Sequence, residues 1–97
     1  MVVGLLTVEL HVPGSQSLKD KRSVLRRVKD RLKKFNVAVS EVEHHDLWQR
    51  TTIAVSAVSG DAYQVRKVLH QVEKYIATWP RLEFIDTEVT LHDPEDE

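Results

Sequence analysis

The stretch VVGLLTVELHVPGSQSLKDKRSVLRRVKDRLKKF (residues 2–35) contains one strand pattern followed by one helix pattern. Apolar residues alternate with polar ones over residues 2–12, which is typical of a half-buried β-strand. A Pro-Gly pair ends the alternation. Ser17 precedes Asp20 by three residues, which favours a helix start, and apolar residues recur at helical spacing as far as Phe35. This stretch therefore predicts a strand, a turn and an amphipathic helix.

The remaining patterns complete the order strand, helix, strand, strand, helix, strand. Residues 37–43 and 51–59 are strand patterns, and the second is rich in β-branched residues. Residues 62–79 are a helix pattern that ends at a proline, and residues 82–92 are a final strand. Right-handed crossovers arrange this order as an α+β, ferredoxin-like split βαββαβ sandwich. We expect both helices on one face of a four-stranded antiparallel or mixed sheet.

Length and composition restrict the class of protein. The chain has 97 residues, and we assign residues 1–92 to one domain and residues 93–97 to an acidic C-terminal tail. No stretch is apolar over a membrane-spanning length and no leader pattern opens the chain, so we expect a cytoplasmic protein without a membrane partner. Cysteine is absent, which excludes disulfides, thiolate metal sites and cysteine nucleophiles.

A formal net charge of −1 conceals a strong charge asymmetry along the chain. Residues 19–34 contain nine Lys or Arg and two Asp residues, so this segment carries +7. The rest of the chain carries −8, and residues 83–97 hold seven acids without a Lys or Arg. The basic helix predicts contact with the phosphates of structured RNA. The alternative is a solvated helix face whose field the acidic residues offset.

The predicted nucleic-acid contacts are Lys19, Lys21, Arg22, Arg26, Arg27, Lys29 and Lys33. Four of them flank the apolar stripe at i, i+4, i+7 and i+11, beginning at Arg22. Lys21 falls near the stripe itself, so its side chain is expected to run along the sheet. The first and third strands contain no aromatic residue, so bases are not expected to stack on the open sheet face. RNA would therefore lie along the helix and be bound through shape and charge.

The turn before this helix is a second candidate site. Gly14, Ser15 and Ser17 lead into a helix N-terminus, where free N–H groups and the helix dipole favour an anion. The turn is either a phosphate or carboxylate pocket, which would suit an anion-binding enzyme, or an ordinary capped helix start. The fold is shared with acylphosphatases, but their glycine-rich phosphate loop is missing here, so that comparison is an analogy of fold alone.

The segment HHDLWQR (residues 44–50) separates the second and third strands. Adjacent histidines on a strand point to opposite faces and neither helix has an i, i+4 histidine pair, so we predict no metal. The sequence has no nucleophile elbow and no glycine-rich oxyanion loop, so we predict no catalytic residue and no cofactor. Trp48 either plugs the end of the core or anchors a base or a protein partner. Arg50 is a further partner contact, or pairs with Glu43 across the hairpin. Trp79 is expected in the core at a helix end.

The open sheet face supports a different hypothesis. Strand parity places there Thr7, Glu9, Thr52, Ser56, Asp86 and Glu88. Small residues near its centre permit a second copy to pack on it, and edge strands can also pair across a two-fold axis. We therefore expect a homodimer. Together with Trp48, this face would make the protein a dimeric protein–protein interaction module.

Two motifs resemble those of the YlxP-like family. SLKDKRSVL (residues 17–25) follows the first strand, and DLWQRTTIAVSAVS (residues 46–59) opens the third. The likeness extends over nearly the whole chain. It implies a small bacterial protein of undefined function with a ferredoxin-like fold, whose gene neighbours serve translation initiation and ribosome maturation. The resemblance transfers no catalytic residue, and it favours a non-enzymatic accessory factor that contacts ribosomal RNA.

Overall fold

The computed structural model describes residues 1–94 and confirms the predicted order of elements. In chain order these are β1 (Val2–His11), α1 (Leu18–Leu32), a 3₁₀ helix (Lys33–Phe35), β2 (Ala38–Glu43), β3 (Arg50–Ser59), α2 (Ala62–Ala77) and β4 (Glu83–His92). Residues 95–97 of the predicted acidic tail lie outside the described residues. No helix within residues 1–94 has the length and apolar character needed to cross a membrane.

The four strands form one sheet in the order β2-β3-β1-β4. All three neighbouring pairs are antiparallel, so the sheet contains no parallel pair among the described strands. The element order and the strand order together define the ferredoxin-like split βαββαβ arrangement. Glu9 lies opposite Thr52 on one side and Asp86 on the other, which confirms the strand parity expected for the open face.

The core lies between the sheet and the two helices. Alternate residues of β1, including Leu6, Val8 and Leu10, are fully buried and face this layer. The helices contribute apolar stripes that are buried in the same cluster: Val24, Leu25, Val28 and Leu32 from α1, and Val65, Leu69, Val72 and Ile76 from α2. Both helices therefore cover the same face of the sheet, as the amphipathic patterns predict.

Capping side chains fix where the two helices begin. The Ser17 hydroxyl accepts a hydrogen bond from the Asp20 backbone N–H at 3.0 Å, and Asp61 accepts one from Gln64 at 2.9 Å. The first cap confirms the predicted start of α1. The α-helix ends at Leu32 and continues as a 3₁₀ turn, which Asn36 closes in the left-handed region at φ 58°. The spacing of apolar residues alone does not distinguish an α-helical turn from a 3₁₀ turn.

Gly4 permits the close approach of α2 to β1. A Cβ atom built on Gly4 would lie 2.2 Å from Val65 Cγ1 and 2.8 Å from Leu69 Cδ1, far inside van der Waals contact. Both side chains are fully buried in the core, so neither has space to retreat. The absence of a side chain at this position therefore sets the spacing between the helix layer and the sheet.

We expect Gly4→Ala to lower the free energy of unfolding by about 1–3 kcal/mol, because the added methyl overpacks the contact between β1 and α2. Gly60→Ala is the matched control, since no atom lies within 4 Å of a Cβ built there. Urea unfolding of both variants measures the difference. Equal urea midpoints for the two variants would show that α2 moves away from β1 without a loss of stability.

Candidate nucleic-acid interface

The exposed cations of α1 lie on two flanks of the helix. On the flank towards β2, Arg22, Arg26 and Lys29 line a cavity of about 250 Å³ together with Leu25 and Glu41. We call this group of three cations the basic cleft. On the flank towards α2, Arg27 and Arg31 line a separate cavity. The structure therefore brings three of the predicted contacts together and places Arg27 on the other side of the helix.

The basic cleft has no ionic partner among the described residues. The ion pairs that α1 and its 3₁₀ extension make within residues 1–94 are Lys21 with Glu41 and Lys33 with Asp30. The second pair joins exposed groups at 3.3 Å and contributes little to stability. Lys19 and Arg27 are exposed, and Arg27 donates a hydrogen bond to the neutral Ser23 hydroxyl at 3.3 Å. Most of the positive charge predicted for this helix thus faces solvent without compensation.

The prediction that Lys21 contacts nucleic acid is wrong, because this side chain is completely buried. It lies on the face of α1 that meets the sheet, as its position near the apolar stripe indicated. Its Nζ atom donates to the backbone carbonyls of His44 at 2.7 Å and His45 at 3.2 Å, and lies 3.3 Å from that of Arg50. The Glu41 carboxylate is 3.0 Å away. Every donor of this ammonium group has an acceptor inside the protein.

Glu41 is balanced by the same cluster. Its Oε2 atom accepts a hydrogen bond from the Thr51 hydroxyl at 2.6 Å and forms the ion pair with Lys21. Glu41 is the acid that lines the same cavity as the basic cleft. Because the buried Lys21 ammonium compensates the Glu41 charge, that carboxylate offsets the field of the cleft only in part.

We expect Lys21→Met to lower the free energy of unfolding by about 3–5 kcal/mol, because it leaves the Glu41 carboxylate and three carbonyls without their donor. The double variant Lys21→Met/Glu41→Leu removes both charges and should recover part of this loss. Chemical denaturation of the two variants and the wild-type protein gives the comparison. If Lys21→Met were as stable as wild type, the Lys21 ammonium group would not stabilise the β2–β3 loop.

The contacts of the β1–α1 turn are those of a capped helix start. The Ser15 side chain is buried and donates to the Ser17 carbonyl at 3.2 Å, while the Ser17 hydroxyl caps α1. The Asp20 carboxylate accepts from the Gln16 N–H at 3.1 Å. Gly14 takes a left-handed conformation at φ 83° that suits glycine. The chain itself therefore engages both serine hydroxyls and the N–H groups of Gln16 and Asp20, and a carboxylate stands at the site.

The interpretation of Trp48 as a core plug is wrong. Its side chain is 55% exposed and its neighbour Leu47 is 46% exposed. Arg50 does not pair with Glu43; its Nε atom donates to Glu9 Oε2 at 2.8 Å. Leu47 and Trp48, with Arg50 and His11, border a cavity of about 510 Å³ at the end of the sheet. The loop thus presents apolar surface beside an ion pair that spans β1 and β3.

The histidines of this segment are held by the protein. His44 has a left-handed backbone at φ 64°, and its Nδ1 atom lies 2.9 Å from the Thr52 hydroxyl. His45 Nε2 lies 3.1 Å from the Glu41 carbonyl oxygen. Among residues 1–94, no group of three or more His, Asp or Glu side chains is placed to hold a metal ion.

The open sheet face contains a shallow groove among the small residues that strand parity places there. Leu5, Ala54 and Ser56 line this groove, which has a volume of about 190 Å³, together with residues of β2. The cavity beside Trp48 is separate from this groove and lies at the end of the sheet, where His11 and Arg50 are register partners.

Sequence reasoning missed the cavity on the α2 flank of α1. Trp79 was expected in the core, but it is half-buried and lines this cavity of about 400 Å³. Arg31 and Arg81, which were not predicted as site residues, line it as well. The available signal was the run of Trp79, Pro80 and Arg81 at the end of the predicted helix.

The fold and its surface define a small α+β sandwich protein with an uncompensated cationic helix. The chain belongs to the family described as "Protein of unknown function (DUF503)", whose model matches residues 3–89. It is 39% identical over 83 residues to "Uncharacterized protein YlxP" of Bacillus subtilis (strain 168), covering 84% of this chain and 90% of that protein. The resemblance to the YlxP-like family is therefore confirmed, and this relative is bacterial.

Two solved structures align with nearly the whole chain. One is a C-terminal segment of the alpha subunit of aIF2 from Pyrococcus abyssi, with a TM-score of 0.47 and 21% identity, covering 100% of this chain and 52% of that one. The other is a REP-associated tyrosine transposase bound to a REP hairpin, with a TM-score of 0.44 and 16% identity, covering 97% and 58%. The chain thus spans little more than half the length of either protein.

Proposed function

We propose that this protein is a non-enzymatic accessory factor that contacts structured RNA through the basic cleft of α1. The observation that carries the proposal is the grouping of Arg22, Arg26 and Lys29 around one cavity without an ionic partner in residues 1–94. The setting in ribosome maturation or translation follows from the resemblance to YlxP-like proteins. A cytoplasmic location is part of the same proposal.

The energetics of the cleft favour a polyanionic ligand. Arg22 and Arg26 are like charges at i, i+4, and each such pair destabilises a helix by about 0.2–0.5 kcal/mol. A phosphate between them removes this repulsion and releases condensed counterions from the nucleic acid. Arginine also matches phosphate geometry through two parallel N–H donors. Repulsion within the free protein therefore becomes attraction when a phosphate backbone lies along the helix.

The open sheet face is a poor platform for nucleic acid. Its β4 strand carries Asp86 and Glu88, which lie opposite Glu9 and Thr7 of β1. These carboxylates repel phosphates, and the face offers no aromatic side chain from β1 or β3 on which bases could stack. Contact with RNA is therefore proposed for the helix side, through shape and charge.

We expect Arg22→Glu/Arg26→Glu to weaken binding to structured ribosomal RNA fragments by about tenfold or more, because two phosphate contacts become repulsive. Fluorescence anisotropy at several salt concentrations measures both affinity and salt dependence. For wild type, four to six phosphates correspond to a log–log slope of roughly −3 to −5. The double variant should lower the magnitude of this slope by about two.

The matched control is Arg66→Glu/Lys67→Glu on the exposed surface of α2, which changes the net charge equally. This control should retain most of the affinity, and the thermal unfolding of both variants should stay close to wild type because all four side chains are exposed. Equal weakening by the two double variants would point to net charge alone. Full affinity of Arg22→Glu/Arg26→Glu would remove the basic cleft from the proposal.

A second candidate function is self-association through the open sheet face. Two features favour it: the exposed side chains of Leu47 and Trp48 at the end of the sheet, and the shallow groove around Leu5. Exposed tryptophan is typical of binding hot spots, and a two-fold contact uses the same patch on both copies. The basic helices would then face outward on both sides of a dimer, so this function is compatible with RNA contact.

For this candidate we expect a dimer that Leu5→Asp and Trp48→Ala each convert to monomer, because one change charges the groove and the other removes the anchor. Sedimentation velocity across protein concentrations measures the mass directly. Both side chains are exposed, so thermal unfolding of the monomeric variants should reflect only the lost association. A wild-type protein that stays monomeric at high concentration would exclude this function.

A further inference from the structure

The cavity between α1 and the end of α2 combines guanidinium groups with aromatic rings. Its walls are formed by Arg27, Arg31, Tyr75, Thr78, Trp79, Pro80 and Arg81. Its volume of about 400 Å³ falls within the range of small-molecule sites. We call it the Trp79 cavity. It lies on the opposite flank of α1 from the basic cleft, so the two sites share one helix and no lining residue.

The aromatic wall is fixed by local structure. Helix α2 ends at Ala77, and the Trp79 N–H donates to the Ile76 carbonyl at 3.0 Å. The indole meets the Tyr75 ring edge to face, with centroids 6.1 Å apart and an interplanar angle of 81°. Tyr75 in turn meets Phe35 at 5.7 Å. Trp79 is therefore preorganised, with part of its ring on the core and part on the cavity.

The three arginines of the Trp79 cavity have no acidic partner within residues 1–94. Arg27 hydrogen bonds only to a neutral hydroxyl, and no carboxylate of the described chain forms an ion pair with Arg31 or Arg81. Arg81 also reaches the β1–α1 turn, since its Nη2 atom lies 3.9 Å from the place of a Cβ on Gly14. Three like charges around one cavity repel each other until an anion enters.

Together these features match a nucleotide better than a phosphate alone. An aromatic face accepts a nucleobase of any sequence by stacking, and guanidinium groups bind the attached phosphate through paired donors. Single-stranded and bulged RNA residues present an unstacked base next to a backbone phosphate. The Tyr75 ring is already covered by Lys34, whose Nζ lies 4.2 Å from its centroid. The indole of Trp79 is thus the ring proposed to receive a base.

We propose that the Trp79 cavity binds one unpaired RNA nucleotide, with the base on the Trp79 indole and the phosphate between Arg31 and Arg81. This inference rests on the proposed RNA contact and adds a base contact to it. Paired RNA would engage the basic cleft on one flank of α1, while an unpaired nucleotide enters the cavity on the other. The protein then recognises a helix beside a bulge or single strand, without reading base identity.

The Trp48→Phe protein permits a direct test, because Trp79 becomes its one tryptophan. A short single-stranded oligoadenylate should quench Trp79 emission in a saturable manner, while inorganic phosphate should not. Adenosine 5′-monophosphate is titrated in parallel, since a free nucleotide has the same chemistry as an RNA residue. Quenching by the mononucleotide but not by the oligonucleotide would overturn the assignment to RNA.

Variants of exposed residues avoid the risk of unfolding. Arg31→Ala/Arg81→Ala should weaken binding of a bulged RNA hairpin by about tenfold and leave the perfectly paired hairpin much less affected. Arg66→Ala/Lys67→Ala, on the exposed surface of α2, is the control for net charge. Equal losses for bulged and paired hairpins would overturn the proposed base contact.

The two proposals fail in different ways. If hairpins bind with the expected salt dependence but oligoadenylate leaves Trp79 emission unchanged, the Trp79 cavity is excluded and the basic cleft stands. If oligoadenylate quenches Trp79 while Arg22→Glu/Arg26→Glu has no effect on any hairpin, the basic cleft is excluded and the cavity stands. Quenching, selective loss for the bulged hairpin in Arg31→Ala/Arg81→Ala, and weaker hairpin binding by Arg22→Glu/Arg26→Glu together support both.

Discussion

The buried ammonium group of Lys21 is the interaction on which the arrangement of the functional surfaces depends. It joins the first turns of α1 to the Glu41 carboxylate of β2, to two carbonyls of the β2–β3 loop and to the Arg50 carbonyl at the start of β3. A charge removed from water requires this full set of acceptors, so the loop and the helix have one relative position. Because α1 turns once every 3.6 residues, fixing Lys21 inward directs Arg22 and Arg26 outward. The exposed cationic surface therefore follows from one buried cation.

Most of the fold could be predicted because its determinants are local. Alternation in β1, the Ser17 cap and the apolar stripes of both helices are each visible in a short stretch of sequence, and the order of elements follows from them. The same patterns left open whether the sheet was antiparallel or mixed. The role of Gly4 could not be predicted in this way. Its constraint comes from Val65 and Leu69, which are distant in sequence and meet it only after the layers pack.

The sites were predicted in part, for a similar reason. Helical spacing placed Arg22, Arg26 and Lys29 on one flank, and the structure shows the three around one cavity. A helical wheel gives the direction of a side chain but not the groups of other elements that it contacts. The hydrogen-bond acceptors of Lys21 could therefore not be predicted. Neither tryptophan lies within the core: Trp48 is exposed, and Trp79 is half-buried at a cavity wall. The residue type indicates that a tryptophan ring packs against other groups. Only the tertiary structure determines whether those groups belong to the core, to a cavity wall or to a partner.

Charge is divided across the thickness of the molecule as well as along the chain. The cationic helix covers one face of the sheet, while Asp86 and Glu88 belong to the opposite face. Two layers of opposite sign on the two faces form an electric dipole across the sheet. In the field of a polyanion such a dipole rotates the protein before contact, and at physiological salt this torque acts within about 8 Å of the surface. A nearly neutral protein can in this way approach a polyanion with its helices already facing it.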